Sequence, residues 1–406
     1  MQQKLIVIGS GMVGSRLIER VLAESPNHYD IRVFNKEPTG GYNRLMLSPV
    51  LAGEKTISEI MTHDQDWFRS RSIKLHTGTE ISKIDTQKKT VKTLNGESYD
   101  YDKLVIATGS SPFILPIEGH QLPGVVAFRD IRDVNCMISS SKSQKNAVVI
   151  GGGLLGLEAA NGLMKLGMKV TVLHRENILM NVQMDAISGG LLKTAMEESG
   201  IYFEMQANTV RILGDEFVTG IELDSGKIID ADLVVMAVGI RPNTGLAKLT
   251  GLEVNRGIVV DDQLKTSIKD VYALGECVEH RGALYGLVAP LYEQAEVLAK
   301  ELADIDSAYQ GSFTSTKLKV TGISLFSAGD FHENEGSEAL VYQDYEKRIY
   351  RKIVLKDNKI QGAVMYGDVS GSNWIFENLV SQTDMSAYRD TLVFGDGFQP
   401  ANKKIA

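Results

Sequence analysis

The sequence predicts an α/β protein with two doubly wound parallel sheets and a small α+β domain at its C-terminal end. Three observations predict it. Two short apolar runs, at residues 5–8 and 147–150, each lead into a G-x-G-x-x-G turn and then into a helical apolar pattern. Gly151 stands 142 positions after Gly9, far more than the roughly 30 residues of one βαβ unit, so each copy starts a sheet of its own. From about residue 311 onward the pattern changes to short alternating strands.

Leu5-Ile-Val-Ile8 is an apolar run of the buried parallel-strand kind. It ends in Gly9-Ser-Gly11-Met12-Val-Gly14, and the helix that follows carries Leu17, Ile18, Val21 and Leu22. In such a turn the first glycine permits the tight bend and the second lets backbone approach a pyrophosphate. The third lets helix pack on strand, and the helix N-terminus faces the phosphates. The next strand, residues 31–34, runs into Asn35-Lys-Glu37. An acid at this edge binds ribose hydroxyls, and Glu37 stands 23 residues past Gly14, near the expected spacing of about 20. Asn35 is nearer the strand end, and the contact is assigned to Glu37. Further on, Asp102-Lys-Leu-Val-Ile-Ala107-Thr108-Gly109 is a buried strand ending in a glycine turn.

The second copy repeats this order. Ala147-Val-Val-Ile150 leads into Gly151-Gly-Gly153-Leu154-Leu-Gly156 and a helix with Leu157, Ala160, Leu163 and Met164. Its next strand ends in His174-Arg175-Glu176, where the nucleotide's sugar is discriminated. An acid there accepts from a 2′-hydroxyl and repels a 2′-phosphate, whereas an arginine accommodates the phosphate. Both signs are present. Arg175 beside His174 tips the reading toward NADPH, and Glu176 keeps NADH open. The strand 233–238 then ends in Gly239-Ile-Arg-Pro-Asn243, the form seen at Gly109, and Val271-Tyr-Ala-Leu-Gly275-Glu276 adds another strand, glycine and acid.

Composition narrows the function. The chain has 406 residues, 43% of them hydrophobic, enough for two or three packed domains. Lys and Arg total 43 against 51 Asp and Glu, a formal charge of −8, which argues against nucleic acid as a partner. Two cysteines, Cys136 and Cys277, support no disulfide framework and no zinc or iron–sulfur site built from this chain alone. No run approaches the roughly 18 apolar residues of a membrane span, and no signal peptide precedes the first strand, so a cytoplasmic location without membrane contact is expected. The seven histidines show no metal-ligand spacing, so no metal is expected; His63 and His76 are expected at surface or structural positions. Both cysteines are expected as small buried hydrophobes. Met180 and Met184, four apart, are expected in the core, and Glu293, Glu296 and Lys300 on a solvated helix face.

Taken in order, these five motifs resemble the pyridine nucleotide–disulfide oxidoreductase superfamily over roughly residues 1–310. Closer likeness lies in Tyr42-Asn-Arg44-Leu-Met-Leu-Ser48, the 151–160 stretch GGGLLGLEAA, Gly275-Glu276-Cys277, Gly286-Leu-Val-Ala-Pro290, Lys317-Leu-Lys319 and Gly329-Asp330. These resemble the reductase region of NAD(P)H nitrite reductase large subunits, assimilatory nitrate reductase electron-transfer subunits and rubredoxin reductases.

The resemblance implies a glutathione-reductase-like pair of Rossmann-like domains. The FAD-binding domain would comprise residues 1–112 and 240–310, the NAD(P)-binding domain 113–239, and the C-terminal α+β domain 311–406. That last domain packs on the flavin domain in relatives and allows a homodimer. Gly9, Gly11, Met12 and Gly14 would hold FAD pyrophosphate, with Glu37 at the ribose. Ala107, Thr108, Gly109 and Gly239 would close the sites at strand ends, and Gly275 with Glu276 would meet the ribitol chain. Arg44, Ser48 and Pro290 would lie beside the flavin. Gly151, Gly153, Leu154, Gly156, His174 and Arg175 would receive NADH or NADPH. The residues 42–54 contain no cysteine, which excludes the dithiol chemistry of disulfide reductases, and Pro49 stands where several relatives carry lysine.

The expected reaction is hydride transfer from nicotinamide to flavin with no catalytic acid, base or nucleophile from the protein. Electrons would pass to a separate redox protein, a nitrate or nitrite reductase component, or alternatively a rubredoxin or ferredoxin. A diffusible acceptor such as oxygen, nitric oxide or a quinone is another reading. A different class of function is a non-catalytic FAD-binding sensor or assembly module.

Overall fold

The computed structural model describes residues 2–320, 322–395 and 397. In chain order its main elements are β1 (Gln3–Ile8), α1 (Met12–Glu24), β2 (Tyr29–Phe34), β3 (Lys74–His76) and β4 (Lys103–Ile106). Next come β5 (Val125–Ala127), β6 (Asn146–Ile150), α2 (Leu154–Lys165), β7 (Lys169–His174), α3 (Ala186–Glu198), β8 (Tyr202–Met205) and β9 (Leu233–Met236). Then follow β10 (Val271–Ala273), α4 (Val288–Leu302), β11 (Ser315–Val320), β12 (Ile323–Gly329), β13 (Ser337–Asp344), β14 (Ile349–Lys356), β15 (Lys359–Gly367) and α5 (Ser372–Ser381). These elements fall into two compact units. One contains the chain up to Val50, Lys55–Phe113 and Gly239–Ser312; the other contains Leu51–Glu54, Ile114–Val238 and the described residues from Phe313 on.

The first unit is a five-stranded parallel sheet in the order β10-β4-β1-β2-β3. Its middle strand is covered on both faces, and Leu5, Ile6 and Val7 are at most 1% exposed. This is why the strand reads as an unbroken apolar run. α1 buries Leu17, Ile18 and Val21 against this core, a helical spacing of one, three and four residues. α1 and α4 are joined by Glu296, which pairs with Arg16 at 2.7 Å and with Arg20 at 2.5 Å. The stretch expected as a plain solvated face therefore carries an interhelical ion pair, because the arginines of α1 point across to it.

The second unit holds an equivalent parallel sheet in the order β5-β9-β6-β7-β8. The match extends to single bonds. Asp102 accepts Lys4 N–H at 2.7 Å and Asp232 accepts Asn146 N–H at 2.8 Å, so one aspartate in each copy ties the start of the glycine strand to the start of its neighbour. Each copy also carries a three-stranded antiparallel meander before that neighbour, from Ile81 to Asp100 and from Thr209 to Asp230. Neither meander is marked by the hydrophobic pattern of its short strands.

The C-terminal layer is a five-stranded antiparallel sheet, β11-β12-β15-β14-β13, with α5 packed on it through Ile375 and Leu379. β14 and β15 form a hairpin whose Asp357 and Asn358 have φ of 50° and 57°, the left-handed pair that a two-residue turn requires. Within the unit this layer is bonded to α3. Tyr350 donates its hydroxyl to Asp185 at 2.6 Å, and Arg348 pairs with Glu198 through both guanidinium nitrogens. Among the described residues no helix is long and apolar enough to cross a membrane.

Candidate functional site

Each glycine turn begins where its strand leaves the sheet. Gly9 N–H bonds to Phe34 carbonyl and Gly151 N–H to Leu173 carbonyl, both at 2.8 Å; Ala107 and Ala237 N–H bond back to Ile8 and Ile150 carbonyls at the same distance. Gly9 and Gly151 have φ of 111° and 120°. A Cβ on Gly9 would lie 2.2 Å from Ala107 O, and one on Gly151 would lie 2.3 Å from Ala237 O. A Cβ on Gly14 or Gly156 would lie 2.1 or 1.9 Å from the carbonyl oxygen of the first glycine in its turn. The middle glycines differ. A Cβ on Gly11 or Gly153 would meet nothing within 4 Å.

Steric need therefore accounts for the first and third glycines, while nothing among the described residues requires the second. Gly11 and Gly153 are also the N-caps of α1 and α2, neither with a side-chain cap nor an acid in the first turn; Met12 and Leu154 open these helices. Each turn thus offers open space in front of uncapped backbone N–H groups at the positive end of a helix. That arrangement suits a phosphate.

Around the first turn the predicted residues form a connected set. Glu37 follows β2, accepts the Tyr42 hydroxyl at 2.8 Å and pairs with Arg44 at 2.7 Å. Asn35, the alternative to Glu37, donates its side chain to Thr39 carbonyl and is buried in the loop. Burial works against charge on Arg44, yet Tyr42, Glu37 and Glu276 outweigh it and hold its pKa above the ordinary value. Glu276 also accepts the Ser110 hydroxyl at 2.7 Å. Gly275 packs against α1, where a Cβ would lie 2.7 Å from Val13 Cγ1, and its N–H bonds to buried Gln294 at 2.8 Å. Ser48 is half-buried in the short helix Leu47–Leu51, and Pro290 is buried in the first turn of α4.

Thr108 and Gly109 meet a residue that the motif reading quoted without assigning it a role. Asn243 donates to Thr108 carbonyl at 2.8 Å, its carbonyl accepts the Thr108 hydroxyl at 2.9 Å, and its N–H reaches Gly109 carbonyl at 2.9 Å. Strands Ser110–Pro112 and Ile240–Pro242 pair antiparallel beside it, after Gly109 and Gly239. The repeated glycine-x-x-proline spacing was the available signal for this clamp. Ser110 and Gln294 had none, because their roles depend on neighbours 166 and 19 residues away.

At the second turn, His174 directs both ring nitrogens to backbone: Gly152 N–H reaches Nδ1 at 3.1 Å, and Nε2 meets Ile178 carbonyl at 2.9 Å. Arg175 is exposed and paired with Glu176 at 3.1 Å. Cys277 is fully buried, its thiol directed to Leu274 carbonyl at 3.3 Å, and burial raises its pKa, as suits an inert packing residue. Cys136 corrects the expectation of burial: its helix, Ile131–Ser141, buries Val134 and Met137, which leaves Cys136 on the exposed face. His63 is buried against Trp67 and bonded to Glu19 at 2.8 Å, and His76 stacks on Phe34. Met180 and Met184 are buried, in a turn rather than a helix. Among the described residues no cluster of three ligands for a metal occurs.

Residues 3–299 match the pyridine nucleotide-disulphide oxidoreductase family. The chain belongs to that family. Residues 315–383 match the rubredoxin NAD+ reductase C-terminal domain. The chain is 49% identical over 386 residues to the nitrite reductase [NAD(P)H] of Bacillus subtilis (strain 168), covering 95% of this chain and 48% of that protein. It is 40% identical over 393 residues to the assimilatory nitrate reductase electron transfer subunit of the same organism, covering 97% and 51%. This oxidoreductase therefore spans about half the length of those curated relatives. The crystal structure of NADH:rubredoxin oxidoreductase from Clostridium acetobutylicum superposes with a TM-score of 0.81 at 28% identity, covering 95% of this chain and 97% of that one. The glutathione-reductase-like fold and the oxidoreductase class follow from these matches. The family implies FAD and NAD(P)H, and the two open, uncapped glycine turns fit two dinucleotides.

Proposed function

We propose that this oxidoreductase is an FAD-dependent NAD(P)H reductase that serves a separate redox protein in cytoplasmic nitrate or nitrite assimilation. The duplicated glycine turn carries the reading, with its open middle glycine in both sheets. In this reading residues 1–112 and 240–310 bind FAD, 113–239 bind NADH or NADPH, and 311–406 form the C-terminal domain. Gly9, Gly11, Met12 and Gly14 receive the FAD pyrophosphate, Glu37 the ribose, and Arg44, Ser48, Pro290, Gly275 and Glu276 the remainder. Asn243 holds the Thr108-Gly109 turn, so that this strand end keeps a fixed backbone. Gly151, Gly153, Leu154 and Gly156 receive the donor nucleotide, with Arg175 at its sugar edge and His174 behind the turn.

FAD, when bound, supplies a hydride acceptor that releases electrons singly, which matches a two-electron donor to a one-electron acceptor. The chain contributes backbone N–H groups and a half-buried charge at Arg44; its two cysteines are too few to ligate a cluster, so the acceptor is another protein or another part of a longer one. Names borne by the relatives, nitrite reductase and nitrate reductase electron transfer subunit, support that acceptor class.

A rubredoxin is the second reading. It is favoured by the match at residues 315–383 and by a rubredoxin oxidoreductase structure that this chain covers almost whole. Anaerobic turnover with NADH and with NADPH, offered rubredoxin, nitrate reductase and nitrite reductase in turn, separates the two. Transfer to rubredoxin alone would replace the first reading by the second. No transfer to any of these proteins, with turnover in parallel assays supplied with oxygen, nitric oxide or a quinone instead, would overturn both.

A further inference from the structure

β7 ends at His174, opposite Met205 of β8, and Ala207 N–H bonds to the His174 carbonyl at 3.0 Å, so the backbone there is fixed. Its side chain turns beneath the second glycine turn. Nδ1 accepts Gly152 N–H at 3.1 Å, and Nε2 lies 2.9 Å from Ile178 carbonyl, which can only accept. One form of imidazole satisfies both bonds: neutral, with its proton on Nε2. Met180 N–H bonds to Gly152 carbonyl at 2.9 Å, so the loop after β7 grips Gly152 at both of its backbone groups. A Cβ on Gly152 would lie 2.7 Å from His174 Cγ and 2.8 Å from Leu179 Cδ2, so these side chains close the underside of the turn. The next residue is Gly153, whose open side is the nucleotide approach.

We propose that His174 is a positioning residue of the donor-nucleotide site: its neutral Nε2–H imidazole fixes Gly152, and through it the approach at Gly153. Sugar discrimination is left to Arg175 and Glu176. This rests on reading the second glycine turn as the NAD(P)H site. Burial holds the imidazole pKa below its ordinary value; Ile178 carbonyl and Glu176 pull it up, and Arg175 presses it down. Among the described residues Glu176 and Arg175 are the charged groups acting on it. On acidification a proton would enter at Nδ1 and face Gly152 N–H, donor against donor, and the turn would lose its anchor.

The test uses the FAD-loaded protein with NAD+ and NADP+ as probes. Imidazole nitrogen NMR at pH 7 should show His174 neutral and protonated on Nε2; an imidazolium or an Nδ1–H form would overturn the proposal. Calorimetry should show H174L weakening NAD+ binding by about tenfold with FAD content unchanged, and H174N, which keeps an oxygen acceptor near the place of Nδ1, within about threefold of the parent. Parent affinity should fall over the pH range in which NMR shows His174 protonating, and H174N affinity should not. H174L binding as tightly as the parent would sink the role of His174 alone. A parent protein that holds FAD but binds neither probe at any pH would sink the donor-site reading beneath it.

Discussion

One methyl group separates two kinds of glycine in each turn. Gly14→Ala would drive a Cβ to within 2.1 Å of Gly9 O, so it should destabilise the fold by about 2 kcal/mol or more. Gly11→Ala meets nothing, so melting should stay within about 0.5 kcal/mol of the parent while FAD retention falls sharply. Thermal melts beside flavin content distinguish the pair. Equal melting losses would remove the argument that the middle glycine is kept for a ligand. Arg175→Ala should raise KM for NADPH about fivefold and leave KM for NADH nearly unchanged, since its guanidinium is exposed at the end of β7, the proposed sugar edge. Equal changes in both would mean that its partner Glu176, not the nucleotide, is its business.

The glycines were legible because their spacing is a local signature. Ser110 and the matched roles of Asp102 and Asp232 were not, because each acts on a strand remote in sequence, and the glycine-x-x-proline spacing marked the Asn243 turn without its partners. His174 shows the limit from the other side: its position was legible, but the direction of its ring was set by Gly152 and Ile178.

At the scale of elements, α3 is held by its own cap and by the C-terminal sheet through one carboxylate. Asp185 accepts Ser188 N–H at 2.9 Å as N-cap and accepts the Tyr350 hydroxyl at 2.6 Å. Tyr350→Phe should keep the cap and cost about 1 kcal/mol, and Asp185→Ala should cost more, about 2 kcal/mol, in denaturant melts. Reversal of that order would contradict a shared role.

Buried phenols give a second element-level expectation. Burial raises the pKa of Tyr29 and of Tyr101 to about 12. Unfolded, they ionise near 10, so their contribution is full below pH about 10 and is lost as pH rises toward 12. Melting temperature should therefore fall across that window, and Tyr29→Phe should shallow the fall. The hairpin of β14 and β15 was readable from its Asp-Asn turn. The two meanders were not, because strands of three to five residues with mixed faces carry too little periodicity to stand out.

For the whole molecule, duplication is the organising fact. Four strands of each sheet follow the same order and place a glycine turn at the same point, while the fifth comes late in the chain in one sheet (β10) and before the glycine strand in the other (β5); the matched Asp102 and Asp232 bonds show that the likeness runs well beyond the motif. Two glycine turns that fit dinucleotides, in a chain with no cysteine at residues 42–54, suit the proposed reductase, which accepts electrons from a nucleotide and hands them on. The measurement that bears most directly on this is anaerobic mixing of the FAD-loaded protein with NADH and, separately, NADPH. Rapid bleaching of the yellow flavin absorbance with at least one of them is the expected result, and an unchanged spectrum with both, FAD still bound, would contradict the account and favour a non-catalytic flavin-binding module.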